Sequence, residues 1–245
     1  MSWTIIAPFN FLVEAEGERV PRAGLMQGFL LSFEGIEGCG KTTQIRALAR
    51  RLRALGYQVV ETREPGGVPI SEQIRTVLLN PSNRGMDARC EVFLYLASRA
   101  QHLAEKVRPA LEKGAVVLCD RFADATTAYQ GYGRRIGPRV IARLNRFATT
   151  GLAPDLTIVL DVPVAVGLKR KRRVGGLDRL DLEHAVFHET VRRGYLRIAK
   201  QEPRRVRVVD GTLPMDKVAG AIARVVEPRL RARKTGLTRV ERDAV

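Results

Sequence analysis

Between Gly35 and Thr42 the chain reads G-I-E-G-C-G-K-T. This is the spacing G-x-x-x-x-G-K-T, preceded by the apolar run Phe29-Leu30-Leu31-Ser32-Phe33-Glu34 and followed by the helical pattern Ile45, Leu48, Ala49, Leu52, Leu55. Strand, glycine-rich turn and helix in that order form a phosphate loop. The glycines Gly35, Gly38 and Gly40 let the amides of Ile36, Glu37, Cys39 and their neighbours converge on phosphate oxygens. The helix N-terminus adds the positive end of its dipole. Lys41 is placed to reach the β- and γ-phosphates, and the hydroxyl of Thr42, with Thr43 beside it, to hold Mg²⁺. A turn of this composition that binds nothing is the plain alternative, and the flanking strand and helix argue against it. The expected ligand is a nucleoside triphosphate.

The rest of the chain repeats the alternation. Gln58–Thr62, Ala115–Cys119, Leu156–Leu160 and Val206–Val209 read as further strands. Between them lie a helix with Ser71 as candidate N-cap, a long one from Asp87 to about Pro109, and helical stretches at 124–132 and 138–149. A helix from Val164 enters the basic run 169–173, an amphipathic one covers 181–200, and a last one spans 214–226. Strands alternating with helices predict an α/β fold, a parallel sheet covered on both faces. Residues 1–27 precede the first strand and read as a non-catalytic N-terminal extension, 28–228 as the one domain, and 229–245 as a basic tail.

At 245 residues the chain has room for one good α/β domain. No run of about 18 apolar residues occurs, so no membrane span is expected. Cys39, Cys90 and Cys119 are odd in number and scattered, which fits a reducing, cytoplasmic setting without disulfides. A net charge of +16 raises the question of nucleic acid, since clustered Lys and Arg release counterions from phosphate backbones. No zinc-finger, basic-zipper or aromatic RNA-binding pattern accompanies the charge, and helix faces such as Arg46, Arg50 and Arg53 absorb part of it.

Several constellations fit phosphoryl chemistry. Asp120 closes an apolar strand, at the edge where open α/β sheets bind ligands, and suits the Mg²⁺ shell of the loop; a simple strand-end cap is its alternative. Arg121 follows at once and Arg63 ends the second strand, so two fork-like donors stand ready for a second phosphoryl group. Exposed ion pairs are their alternative. Tyr95 and Arg99 lie four apart on one helix face, where a ring could stack a base and a guanidinium meet its edge. Lys169-Arg170-Lys171-Arg172-Arg173 before Gly175-Gly176 reads as a cationic lid over about 168–180, able to neutralise charge on a moving phosphoryl. His184 and His188 are one turn apart but lack a third metal ligand, and read as a partly exposed helix face.

Taken together the motifs resemble the thymidylate kinases of the bacterial type. They are F-E-G-I-E-G-C-G-K-T-T at 33–43, T-R-E-P-G-G at 62–67, D-R-F at 120–122 with A-Y-Q-G at 128–131, P-D-L-T at 154–157 and G-L-D-R at 176–179. The resemblance implies the P-loop nucleoside-monophosphate-kinase fold: a five-stranded parallel sheet flanked by helices, with a mobile lid. It also implies a homodimer and ATP-dependent, Mg²⁺-assisted conversion of dTMP to dTDP for dTTP synthesis. By position it gives Glu37 to the deoxyribose 3′-hydroxyl, and Arg63 and Arg121 to the acceptor phosphate. Tyr95 falls to stacking on thymine, Arg99 to the base edge, Tyr129 to crowding a 2′-hydroxyl, and Thr126 and Gln130 to the same pocket. A cis bond before Pro65 is also implied. Ala125 stands where a Ser is usual, Tyr95 where a Phe is, and the lid arginines Arg170, Arg172 and Arg173 are spaced unusually. Gly38 after Glu37 leaves the loop without the arginine of the eukaryotic type, so a lid arginine, taken as Arg172, is expected to substitute. Three rival readings are a kinase for another nucleoside monophosphate, a nucleic-acid-dependent ATPase and a non-catalytic nucleotide-binding protein, the last opposed by the intact set Lys41, Thr42 and Asp120.

Overall fold

The structure, a computed structural model, describes residues 28–176 and 178–234; the proposed extension 1–27 and the end of the tail, 235–245, lie outside the described residues. Strand β1 (Phe29–Glu34) is buried along its whole length. It lies between β3 (Val116–Asp120) and β4 (Leu156–Asp161) in the order β2-β3-β1-β4-β5, with β2 (Val59–Arg63) and β5 (Val206–Asp210) at the edges. All four pairings are parallel. That explains why the central strands are near-continuous apolar runs while edge strands β2 and β5 are only partly buried.

The period of two along β1 divides the core. Phe29, Leu31 and Phe33 face a large cluster with Ile45, Leu48 and Leu52 of α1 (Lys41–Ala54), Val191 and Tyr195 of α8 (Ala185–Gln201), and Ile222 of α9 (Met215–Lys234). Leu30 points the other way, with Val117 and Cys119, against Leu103, Val107 and Leu111. The remaining helices are α2 (Pro69–Leu79), α3 (Ala88–His102), α4 (Arg108–Glu112), α5 (Ala123–Thr126), α6 (Pro138–Thr149) and α7 (Val164–Val174). Because β1 has parallel neighbours on both sides, the loops after β1, β3 and β4 open at one sheet edge, where the chain order reverses. That is where ligands bind in such folds.

Three local expectations are corrected. The long helix expected to reach about Pro109 ends as α3 at His102; a five-residue π-helical turn at Leu103–Val107 follows, and Pro109 lies in the first turn of a new segment, α4, that runs to Glu112. The widened turn is where the missing N–H of Pro109 is accommodated. Ser71 is not an N-cap: α2 begins at Pro69 after Val68, and the buried Ser71 hydroxyl donates to the Ser98 carbonyl at 2.8 Å, tying α2 to α3. The last helix does not end at 226 but passes Pro228 to Lys234. Leu230 and Ala232 are buried, and Arg233 pairs with Asp155 at 2.9 Å and lies over the Phe29 ring.

Candidate active site

The phosphate loop follows β1 and ends at the N-terminus of α1. Gly40 there offers no capping side chain, and the first turn carries no acid, so its amides are left for an anion. Lys41 Nζ donates to the carbonyls of Gly35 (3.2 Å) and Ile36 (3.0 Å) and approaches Cys39 Sγ at 3.5 Å. It closes the loop on itself. Thr42 Oγ1 donates to Asp120 Oδ2 at 3.0 Å. The two residues assigned from sequence to the metal therefore meet, one from the loop and one from β3. A hydroxyl and a carboxylate are hard oxygen donors that fit Mg²⁺.

Helix α7 rests directly on this loop. A Cβ on Gly38 would lie 2.0 Å from the Gly167 carbonyl oxygen, and one on Gly167 would lie 2.5 Å from the Glu37 carbonyl oxygen. Only glycine at both positions allows backbone to touch backbone. Further along α7, Arg170 donates to the Gly211 carbonyl at 3.1 Å. Lys171 is held by the Gly176 carbonyl (3.0 Å) and Asp181 (3.3 Å). Arg172 and Arg173 are exposed and line a cleft of about 500 Å³ with Ala165, Leu168 and Lys169.

Arg121 is the centre of the network beside the loop. Its φ of 71° is left-handed, an uncommon conformation for a residue with a side chain. From there Nη1 donates to the Gly35 carbonyl (3.0 Å) and Tyr195 Oη (3.1 Å), and Nη2 to Glu37 Oε1 (2.9 Å) and Tyr129 Oη (3.0 Å). The guanidinium also lies over the Tyr129 ring. Burial alone would lower its pKa, but Tyr129, Tyr195, Glu37 and Asp120 raise it well above the usual arginine range. Glu37 is the mirror case. Burial pushes its carboxyl up, yet Arg121, His188, Lys41 and Tyr129 together hold it well below the carboxylate range.

A cavity of about 30 Å³ opens beside Arg121, lined by Tyr95, Arg99, Thr126, Tyr129, Gln130 and Leu180, among others. Tyr95, Arg99, Thr126, Tyr129 and Gln130, predicted as one binding set, are thus brought together. Arg99, far from lying on a surface, is among the largest fully buried side chains. It donates to Glu64 (2.7 Å), Asn145 (2.6 Å) and Thr126 (3.0 Å), which leaves two of its five N–H groups. The Glu64–Pro65 bond is cis. Arg63 is not brought to the cavity: its Nη2 binds both oxygens of Glu72 at 2.9 and 3.0 Å. The cause is local, because Glu72 also accepts the Gly67 amide and closes the T-R-E-P-G-G turn on itself.

Sequence reasoning missed three supports. Glu34 is fully buried at the end of β1 and accepts from Ser32 Oγ (2.6 Å), the Phe122 amide (2.7 Å) and Tyr195 Oη (2.9 Å). Burial and the nearby Asp124 raise its pKa to about 7. Tyr195 links that carboxyl to Arg121. His188, read as partly exposed, is fully buried with Nδ1 3.3 Å from Glu37 Oε2; His184, before α8, is exposed. Val191 and Tyr195, three and seven residues on, were the available signal that His188 faces inward. Among the described residues one cluster of metal-ligand types occurs, Glu64, His102 and Cys119. It is a packed network instead: Arg99 holds Glu64, and burial pushes the Cys119 thiol up so that it donates to the Arg121 carbonyl.

Comparison with known proteins accords with this geometry. The family model described as thymidylate kinase matches residues 33–222. Thymidylate kinase of Geotalea uraniireducens is 51% identical over 209 residues, covering 83% of this chain and 98% of that protein. That of Enterococcus faecalis is 48% identical over 207 residues, with the same coverage. The crystal structure of thymidylate kinase from Ehrlichia chaffeensis superposes with a TM-score of 0.67 at 33% identity, covering 81% of this chain and 98% of that one.

Proposed function

Because the chain belongs to the thymidylate kinase family, we propose that its conversion of dTMP to dTDP runs by in-line transfer between two grips on one sheet edge. One grip is the phosphate loop with Lys41, which takes the ATP phosphates. The other is Arg121, which takes the phosphate of dTMP. The acceptor is a phosphate oxygen already anionic near pH 7, so no strong general base is needed, and catalysis is positioning plus charge neutralisation. The single observation that carries this reading is that Arg121 reaches both the Gly35 carbonyl and Glu37 of the loop. That contact supports a reading in which donor and acceptor phosphates lie side by side.

Thr42 and Asp120 would hold Mg²⁺, which supplies further neutralisation of triphosphate charge when bound. Tyr95 stacks on thymine, Arg99 and Gln130 meet its edge, and Thr126 packs beside them. Tyr129 walls off a 2′-hydroxyl and Glu37 serves the 3′-hydroxyl. Arg63 joins the acceptor grip only by leaving Glu72. Arg172, exposed on α7 beside the loop, is the lid arginine that meets the transferring phosphoryl, since Arg170 is spent on Gly211. A homodimer accords with exposed Phe93 of α3 and Val140 and Phe147 of α6, neighbouring helices. An ADP-release assay with dTMP, dUMP, UMP and CMP as acceptors tests the assignment: dTMP is expected to be preferred. Equal use of all four, or DNA-stimulated ATP hydrolysis without dTMP phosphorylation, would reject it.

A further inference from the structure

We propose that Glu91, a residue outside the cavity lining, sets which nucleobase the acceptor pocket takes by fixing the orientation of the Gln130 amide. The proposal rests on the reading that the cavity beside Tyr95 and Arg99 holds the acceptor's base.

Glu91 lies in the first turn of α3 and is 0% exposed. Its Oε1 accepts from Gln130 Nε2 at 2.7 Å and Arg134 Nε at 3.2 Å. Its Oε2 accepts from Arg134 Nη2 at 3.1 Å and pairs with Arg179 of the G-L-D-R segment. Burial by itself raises the Glu91 pKa, but Arg134, Gln130 and Arg179 outweigh it and hold the carboxyl below its usual range. The group is therefore a carboxylate, and a carboxylate only accepts hydrogen bonds.

That fixes an otherwise ambiguous side chain. The two ends of a Gln amide differ only in being donor or acceptor, and the local network decides which way it lies. Turning Gln130 over would set its carbonyl oxygen against Glu91 Oε1, two acceptors at contact distance in a buried site, which is costly. Gln130 is held with Nε2 toward Glu91, and its carbonyl oxygen, with no donor against it among the described residues, is the end left for a ligand. Gln130 itself sits in the π-helical segment Thr127–Gly133, buried and lining the cavity. An acceptor at that point suits a base whose ring nitrogen carries hydrogen, as N3 of thymine does. It opposes cytosine, whose N3 is itself an acceptor. Glu91 is a positioning residue that selects through Gln130, and Arg179 ties the same carboxylate to the lid end.

The test is E91Q in the full chain, with kcat and KM for dTMP and dCMP at saturating ATP. A glutamine can donate to Gln130 as well as accept, so both orientations of Gln130 become allowed. The dTMP-over-dCMP ratio of kcat/KM is expected to fall about ten- to hundredfold, carried by a higher KM for dTMP with kcat nearly unchanged. R134Q removes one of the buried pairings but leaves Glu91 against Gln130, and is expected to keep the wild-type ratio. A folded E91Q with the wild-type ratio overturns the proposal, as does an R134Q that loses selectivity equally. Should E91Q fail to fold, E91D keeps the charge for both arginines while drawing the acceptor back by one methylene. It is expected to lose selectivity, and a wild-type ratio there overturns the proposal. A wild-type enzyme that uses dTMP and dCMP alike instead overturns the pocket reading, and this inference with it.

Discussion

Arg121 Nη2 lies 2.9 Å from Glu37 Oε1, so the arginine after β3 and the acid inside the phosphate loop form one unit. A lysine at 121 would keep the charge but could not serve Gly35, Tyr195, Glu37 and Tyr129 from one planar fork. R121K is expected to lower kcat on the order of 10²–10³-fold, the scale of losing one preorganised donor to a transition-state charge. Circular dichroism should show the fold retained. Near-normal turnover would remove Arg121 from the acceptor grip.

The lid arginines are expected to separate by their present engagements. R172A should reduce kcat by at least about 100-fold, as loss of a charge that meets the transferring group does. R170A, which breaks only the contact to the Gly211 carbonyl, should stay within about tenfold of wild type, surface contacts of this kind being worth little. Single-turnover rates at saturating ATP and dTMP distinguish the two, and the reverse order would move the role from Arg172 to Arg170.

Gly167 and Gly38 touch through their backbones. In G167A the new methyl would fall 2.5 Å from the Glu37 carbonyl oxygen and 3.0 Å from Ile36 Cδ1, so α7 and the loop must part. A loss of about 1–3 kcal/mol in urea denaturation is expected, the range for overpacking, together with a raised KM for ATP. Wild-type values of both would show that the contact has no consequence.

Glu34 makes stability depend on pH. Its pKa is raised from 4.5 to about 7 in the fold, so the folded state binds the proton more tightly than the unfolded chain. The contribution is complete below pH 4.5 and is lost as pH climbs through 7, a fall of about 3 kcal/mol over that window. E34Q cannot titrate, so urea denaturation across pH 4.5–8 should show wild type losing stability relative to the mutant as pH rises. Parallel profiles would refute the shift.

The sheet and the geometry of the glycine loop were legible because their signals are local. β1, the glycine loop and α1 are contiguous, and each central strand is an apolar run ending on a chemical residue. Thr42 and Asp120 were assigned to one ion from separate motifs, and they meet at 3.0 Å. What escaped was long-range. Nothing local distinguishes Tyr195 from any core tyrosine, yet its hydroxyl joins Glu34 to Arg121 across more than seventy residues of sequence. Arg63 shows the opposite failure: a correctly read strand-end arginine is diverted by Glu72, nine residues on. Pro109 and Pro228 stand near the helix ends expected at about 109 and 226, and a proline removes one N–H. A π-helical turn absorbs the first, and burial of Leu230 and Ala232 outweighs the second.

The chamber beside Arg121 measures only about 30 Å³, room for a few water molecules and far less than a nucleobase needs. With Leu180 and Arg121 both in its wall, any ligand larger than a few atoms must push side chains apart to enter. The pocket is thus shaped by its occupant as much as by its own walls.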